Sequence, residues 1–271
     1  MSAAQQHGAD YLSQNVENLS MSLLRFIPLS VKVALRERLL KRLNAVDMVP
    51  WSFHDDGVAT VHNTDFLREP AFERAYQLGV ATGSWGDSQP RFRAYTACWA
   101  ALQACKTPGD YVECGVNRGG LARVQMELLN FQKSTKNYWL VDTFRGFPEE
   151  RKHLVSQGMP VDTYGECYDD VVKTFAPFPN ARIVRGTVPE VLPQVKAERV
   201  CYLSLDMNSA EPEIAALKFF WPRLSDGGIV LMDDYAYIGF ERQKSALDEF
   251  ARDYGVSILG LATGQGLIIK N

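Results

Sequence analysis

The chain has 271 residues, 46% of them hydrophobic and 23% charged, with a net charge of −3. This supports a sizeable core, in one large α/β domain or in a domain with an extension, and the charge balance argues against a nucleic-acid partner. Cys98, Cys105, Cys114, Cys167 and Cys201 form no Cys-x-x-Cys pair and read as reduced thiols of a cytoplasmic protein, while His7, His54, His62 and His153 lack the spacing of a zinc site.

No secretory signal pattern is read, and no apolar run is long enough to cross a bilayer. Residues 1–17 are polar. From Leu19 to Leu43 the pattern is amphipathic and basic, with six Lys/Arg against one Glu between Arg25 and Arg42, and Pro28 predicts two helices rather than one. We favour an arm that packs on its own domain or on a second subunit, in a homo-oligomer, over one that lies on a membrane surface. Residues 50–92 carry turn signals, short helical patches and many aromatics. They read as a cap over the main domain, which divides the chain into a helical extension and cap over 1–90 and a main domain over 91–271.

After a helix at about Arg91–Cys105 the chain alternates between two patterns. Strands are predicted at Asp110–Cys114, Tyr138–Thr143, Ala181–Arg185, Val200–Asp206, Ile229–Asp233, Val256–Leu261 and Gly266–Lys270. Helices are predicted at about Gly120–Gln132, Cys167–Phe175, Val188–Gln194, Glu211–Leu224 and Phe240–Tyr254. Pro212 suits a first helical turn, and Thr263-Gly264-Gln265 between two apolar runs reads as a hairpin.

Three acids stand where apolar runs stop: Asp206, and the pair Asp233-Asp234. A strand–helix–strand unit puts the C-terminal ends of its parallel strands on one sheet edge, where ligands bind. The three carboxylates should therefore converge, and hard oxygen donors suit Mg²⁺ or a similar cation.

The first strand runs into Glu113-Cys-Gly115-Val-Asn117-Arg-Gly119-Gly120, an E-x-G-x-x-x-G-G spacing unlike the dinucleotide fingerprint. Gly115 permits a tight turn, and Gly119-Gly120 let backbone approach a ligand at a helix start. This looks like a loop for the aminoacyl part of S-adenosylmethionine, with Glu113 near the ammonium or orienting the loop. Asp142, followed by Thr143, ends the second strand and suits ribose hydroxyls, because one carboxylate accepts two hydrogen bonds. Gly186, after the third strand, is a candidate for the adenine edge. The absence of a Tyr-x-x-x-Lys pair and the glycine spacing count against a dehydrogenase. Parallel strands finished by an antiparallel hairpin have the layout of a class I methyltransferase sheet of seven strands.

Residues 112–120, Asp142-Thr-Phe-Arg-Gly-Phe-Pro148, Leu205-Asp206, Gly227–Tyr235 and Arg242-Gln243 together resemble the macrocin O-methyltransferase family, which methylates sugar hydroxyls on antibiotics and related glycosides. The resemblance implies S-adenosylmethionine and a divalent metal, usually Mg²⁺, held by Asp206, Asp233 and Asp234, with Asp206 also matching the proposed base. Tyr235 and His62 are the less favoured bases. Asn117 stands where those enzymes usually carry Trp, Arg145 replaces a common acid, and Asp206-Met207-Asn208 replaces an Asp-Gly-Asp run. The expected acceptor is a small-molecule or glycan hydroxyl, preferably one of a vicinal diol, with the cap and residues 145–164 excluding water. A phenolic, catechol-type acceptor and a non-catalytic sugar- or nucleotide-binding role are the alternatives.

Overall fold

In a computed structural model, the structure describes residues 50–155 and 164–271, together with Val31 and Arg38. The chain divides into two compact units, 1–50 and 51–271. The basic helices predicted over 19–43 thus lie almost wholly outside the described residues. The second unit, from Trp51, takes in both the residues expected as a cap and the sheet.

Seven strands form one sheet: β3 (Asp110–Cys114), β4 (Tyr138–Asp142), β5 (Ala181–Arg185), β6 (Val200–Leu205), β7 (Leu224–Met232), β8 (Leu259–Gly260) and β9 (Gly266–Ile269). Their order is β5-β4-β3-β6-β7-β9-β8. The first five run parallel, and β9 inserts antiparallel between β7 and β8. The expected class I methyltransferase layout, with its C-terminal hairpin, is the observed one.

Period-two alternation fills both faces of this sheet. Tyr111, Tyr138, Tyr202 and Ile229 enter one core, under helices α1 (Pro70–Val80), α2 (Arg91–Ala104) and α3 (Gly120–Leu128). Val112, Val141, Leu203 and Val230 enter the other, beneath α5 (Ala210–Phe220) and α6 (Glu241–Tyr254). Helix α4 (Tyr168–Phe175) packs Val171 and Phe175 into the first core. Leu203 is fully buried on the central strand β6. Leu203→Ala is expected to cost about 2–5 kcal/mol, read as a lower denaturant midpoint at unchanged slope.

Two elements depart from the sequence expectation. The helix predicted over 188–194 is a single 3₁₀ turn, Leu192–Gln194; Pro193, inside it, has no amide to continue a helical ladder. The region expected as helical patches opens instead on a hairpin, β1 (Phe53–Asp55) with β2 (Val58–Thr60). Its turn places Asp56 and Gly57 both at positive φ, 48° and 76°, the geometry that favours Asp-Gly between two strands.

Candidate active site

Strand register brings the site together. Cys114 pairs with Leu205, and Leu205 with Met232. The ladder continues one step further: Asp206 N–H donates to the Cys114 carbonyl and Asp233 N–H to the Leu205 carbonyl, each at 2.9 Å. Gly115, Asp206 and Asp233 therefore stand side by side at the sheet edge. A Cβ on Gly115 would lie 1.9 Å from the Asp206 carbonyl oxygen, and Gly115 has φ 91°, so only glycine fits there.

The three acids converge as expected. Asp206, Asp233 and Asp234 offer carboxylate oxygens that all lie within 4.8 Å of one another. Asp233 and Asp234 are buried, and Asp234 Oδ2 is buried with no hydrogen-bond partner among the described residues. An orphaned buried carboxylate oxygen inside an acidic cluster is costly unless a cation satisfies it, and an all-oxygen donor set suits Mg²⁺. The residues present thus fit a hard divalent cation. Burial and the negative charge of Asp233 raise the proton affinity of Asp206 and Asp234 well above the usual carboxylate range.

The glycine loop borders the same cleft, of about 560 Å³, within the size range of small-molecule sites. Asn117 and Gly119 adopt left-handed backbone, at φ 50° and 87°. Gly120 opens α3, and its N–H donates to Ser84 Oγ at 2.8 Å. The Asn117 side chain donates to the Ser84 carbonyl at 3.1 Å. A Cβ on Gly120 would meet the Trp85 ring at 2.7 Å, so the Ser84-Trp85 turn lies directly on the loop. Glu113, Gly115, Asn117, Gly120, Asp142, Thr143, Gly186 and Asp206 all line the cleft, while Gly119 packs against the Phe175 ring behind it.

Asp142, expected at the ribose, makes contacts within the protein that the sequence does not suggest. Its Oδ2 accepts the N–H groups of Val116 (2.7 Å) and Asn117 (2.8 Å), and its Oδ1 accepts Phe144 N–H (2.7 Å). Three backbone N–H groups of its own loops thus occupy three of the carboxylate's roughly four acceptor positions. Thr143 Oγ1 donates to the Gly146 carbonyl at 2.6 Å. Asp142 thus braces the glycine loop from the neighbouring strand.

Glu113 is buried and accepts the Tyr138 hydroxyl at 2.9 Å. Burial pushes its carboxyl up to about 8. Its proton is therefore retained in the fold while the unfolded chain has released it, so this group costs stability as pH rises from about 4.3 to 8. Glu113→Gln should flatten the fall in unfolding free energy over pH 5–8 by up to about 1.4 kcal/mol per pH unit, measured by denaturant titration at several pH values. An unchanged pH slope would show that Glu113 ionises normally.

Both secondary candidates for the base lie off the cleft. The Tyr235 hydroxyl donates to Asp248 Oδ1 at 2.6 Å and accepts from Lys244 at 3.2 Å, because Tyr235 packs into the core facing α6. His62 is exposed beyond β2 and does not line the cleft.

Several site residues were not read from the sequence. Arg93 on α2 lines the cleft, and its Nη1 donates to Asp233 Oδ2 at 2.7 Å. Gln265, in the hairpin loop, donates to Asp233 Oδ1 at 2.8 Å. Tyr164 is a cleft residue whose hydroxyl bonds Asn208; burial, with Asp206 and Asp234 nearby, pushes that hydroxyl up. Glu213 on α5 accepts Met207 N–H at 3.0 Å and Gln243 Nε2 at 3.1 Å, fixing the turn after Asp206. No local periodicity marks any of these residues, since each acts across the fold.

Comparison with known proteins identifies the family. The chain is 29% identical over 171 residues to a tetracenomycin-type rhamnosyl 4'-O-methyltransferase of Streptomyces olivaceus, covering 59% of this chain and 64% of that enzyme. It is 28% identical over 163 residues to mycinamicin III 3''-O-methyltransferase of Micromonospora griseorubida, covering 55% of this chain and 63% of that enzyme. The chain thus spans less than two thirds of the length of these relatives. The solved structure of the O-methyltransferase NovP has a TM-score of 0.56 at 22% identity, over 66% of this chain and 79% of that one. CalS11, a TDP-rhamnose 3'-O-methyltransferase of calicheamicin biosynthesis, has a TM-score of 0.51 at 16% identity, over 77% of this chain and 96% of that one. These two likenesses bear on the fold alone. Residues 80–258 match the model of the macrocin O-methyltransferase family (TylF), and the chain belongs to that family.

Proposed function

We propose that this protein is an S-adenosylmethionine- and Mg²⁺-dependent O-methyltransferase acting on a hydroxyl of a sugar or glycosylated small molecule. The single observation that carries the reading is the Asp206/Asp233/Asp234 cluster, with its orphaned buried oxygen, sharing one cleft with the glycine loop. Family membership and the sugar O-methyltransferases among the relatives support the same acceptor class.

S-Adenosylmethionine, when bound, supplies an electrophilic methyl group, and a divalent cation, when bound, supplies Lewis acidity toward a hydroxyl that is otherwise a poor nucleophile. The chain's own residues do the rest. Loop residues 115–120 and the Ser84-Trp85 turn hold the cofactor's aminoacyl end, and Asp142 keeps the loop in shape. Asp206 accepts the proton that leaves the acceptor oxygen as that oxygen takes the methyl group. Tyr164 and Arg145, both lining the cleft, bound the space beside it and limit water. The protein is placed in the cytoplasm, with the basic segment 19–43 serving assembly.

The test is methyl transfer from labelled S-adenosylmethionine to a panel of free and glycosylated sugars, with phenolic diols alongside. Transfer to a glycoside that stops in EDTA and returns with Mg²⁺ is expected. Transfer only to the phenols would shift the acceptor class, and cofactor binding without transfer to any acceptor would favour a non-catalytic role.

A further inference from the structure

Both carboxylate oxygens of Asp233 are already paired. Arg93 Nη1 holds its Oδ2 at 2.7 Å and Gln265 Nε2 its Oδ1 at 2.8 Å, whereas Asp234 keeps an unpartnered buried oxygen. Arg93 reaches further. Its Nε donates to Asp56 Oδ2 at 2.7 Å and its Nη2 to Asp56 Oδ1 at 3.1 Å, a two-point grip that a guanidinium makes and an ammonium cannot. Asp56 sits in the turn between β1 and β2 and also accepts the Tyr237 hydroxyl at 3.1 Å. The Tyr237 ring lies 5.4 Å from the guanidinium carbon, so the charge is enclosed on that side as well.

One full positive charge is thus shared between a carboxylate of the cluster and a carboxylate of the hairpin. We propose that Arg93 is a positioning residue that acts as the built-in counter-charge of the Asp206/Asp233/Asp234 site, and that Asp56 tunes it, so that together they set how tightly the site holds its cation. The inference rests on the cation-binding reading given above and assigns Arg93 of α2 and Asp56 of the β1–β2 turn to it. Arg93 opposes an incoming divalent cation as a like charge while fixing the carboxylate that receives it, and Asp56 offsets part of that opposition. Mutating a partner just beyond the ligand shell commonly costs about 10–100-fold in metal affinity, whereas a like charge there opposes the cation.

This sharing makes opposite predictions for its two ends. Arg93→Gln removes the like charge and should tighten Mn²⁺ by about tenfold. Asp56→Asn touches none of the three carboxylates, yet leaves the Arg93 charge less compensated, and should weaken Mn²⁺ by at least about threefold. Arg93→Lys keeps the charge and loses the fork, so Mn²⁺ affinity should stay nearer the wild type. In all three variants the hairpin should lose its tie.

The experiment is Mn²⁺ binding to the full-length protein and the three variants, followed by electron paramagnetic resonance of free Mn²⁺. Deuterium uptake over residues 51–62 and over β6 is measured on the same samples. Rapid uptake in the hairpin with β6 unchanged confirms a folded variant and a lost tie. Shifts of opposite sign for Arg93→Gln and Asp56→Asn support the proposal. Weaker binding in both, or no change in either, overturns it and reduces Arg93 to a pin for the hairpin. If Mn²⁺ binds none of the four proteins while S-adenosylmethionine still binds, the cation reading itself fails and the proposal falls with it.

Discussion

Asp206→Asn is expected to lower methyl transfer by on the order of 10²-fold or more while S-adenosylmethionine still binds. The substitution keeps the shape of the side chain but removes both a donor to the cation and the group that takes the acceptor proton. Asp234→Asn should also lose activity and require more Mg²⁺, yet its effect on the fold should run the other way. The Asp234 carboxyl is buried beside Asp233 with one oxygen unpartnered. Without a cation, ionisation there is opposed by burial and like charge, so relieving it should raise the thermal midpoint measured in EDTA. Loss of function with a gain in stability marks a site whose strain serves a ligand. Full activity in excess EDTA, with both variants near the wild type, would show these acids to be ordinary strand-end residues.

Asp142→Ala should weaken S-adenosylmethionine by at least tenfold, since charge-assisted hydrogen bonds contribute about 1.5–3 kcal/mol each. The reason differs from the one the sequence suggests. The Val116 and Asn117 amides that converge on Asp142 would be left without their acceptor, so the loop should loosen before any cofactor arrives. Deuterium uptake over 115–119 in the cofactor-free protein is therefore expected to rise. Weaker cofactor binding with unchanged uptake would instead return Asp142 to a direct ribose contact.

What could be read from sequence follows from which signals are local. Strand β6 and the Ile229–Met232 half of β7 are nearly unbroken apolar runs, and a buried parallel strand ends where polar residues begin, so Asp206 and Asp233-Asp234 are legible as sheet-edge acids. Their meeting depends only on parallel pairing, which the strand–helix–strand pattern implies. Arg93 was not visible. It lies 140 residues from Asp233, on a helix whose alanine-rich sequence packs in several directions. Gln265 looked like turn chemistry because its neighbours are Gly264 and Gly266, and its role appears only once β9 inserts beside β7. The hairpin at 53–60 did carry a local signal, Asp56-Gly57 between β-capable residues, but two three-residue strands are too short for alternation to stand out. Tyr235 was misplaced by its neighbours: it follows two cleft acids, yet its ring turns toward Lys244 and Asp248 on α6.

The near-contact between Gly115 and the Asp206 backbone welds the glycine loop to the carboxylate proposed as the base. No side chain separates the two, and adjacent strands fix both, so the distance from loop to carboxylate cannot drift through substitution of either segment. On the proposed function, the walls left to face an acceptor come from elsewhere, from Gly86–Pro90 and from the residues that follow β4. Such a division lets a lineage exchange one glycoside for another by altering those walls, while the reacting geometry at the sheet edge is inherited unchanged.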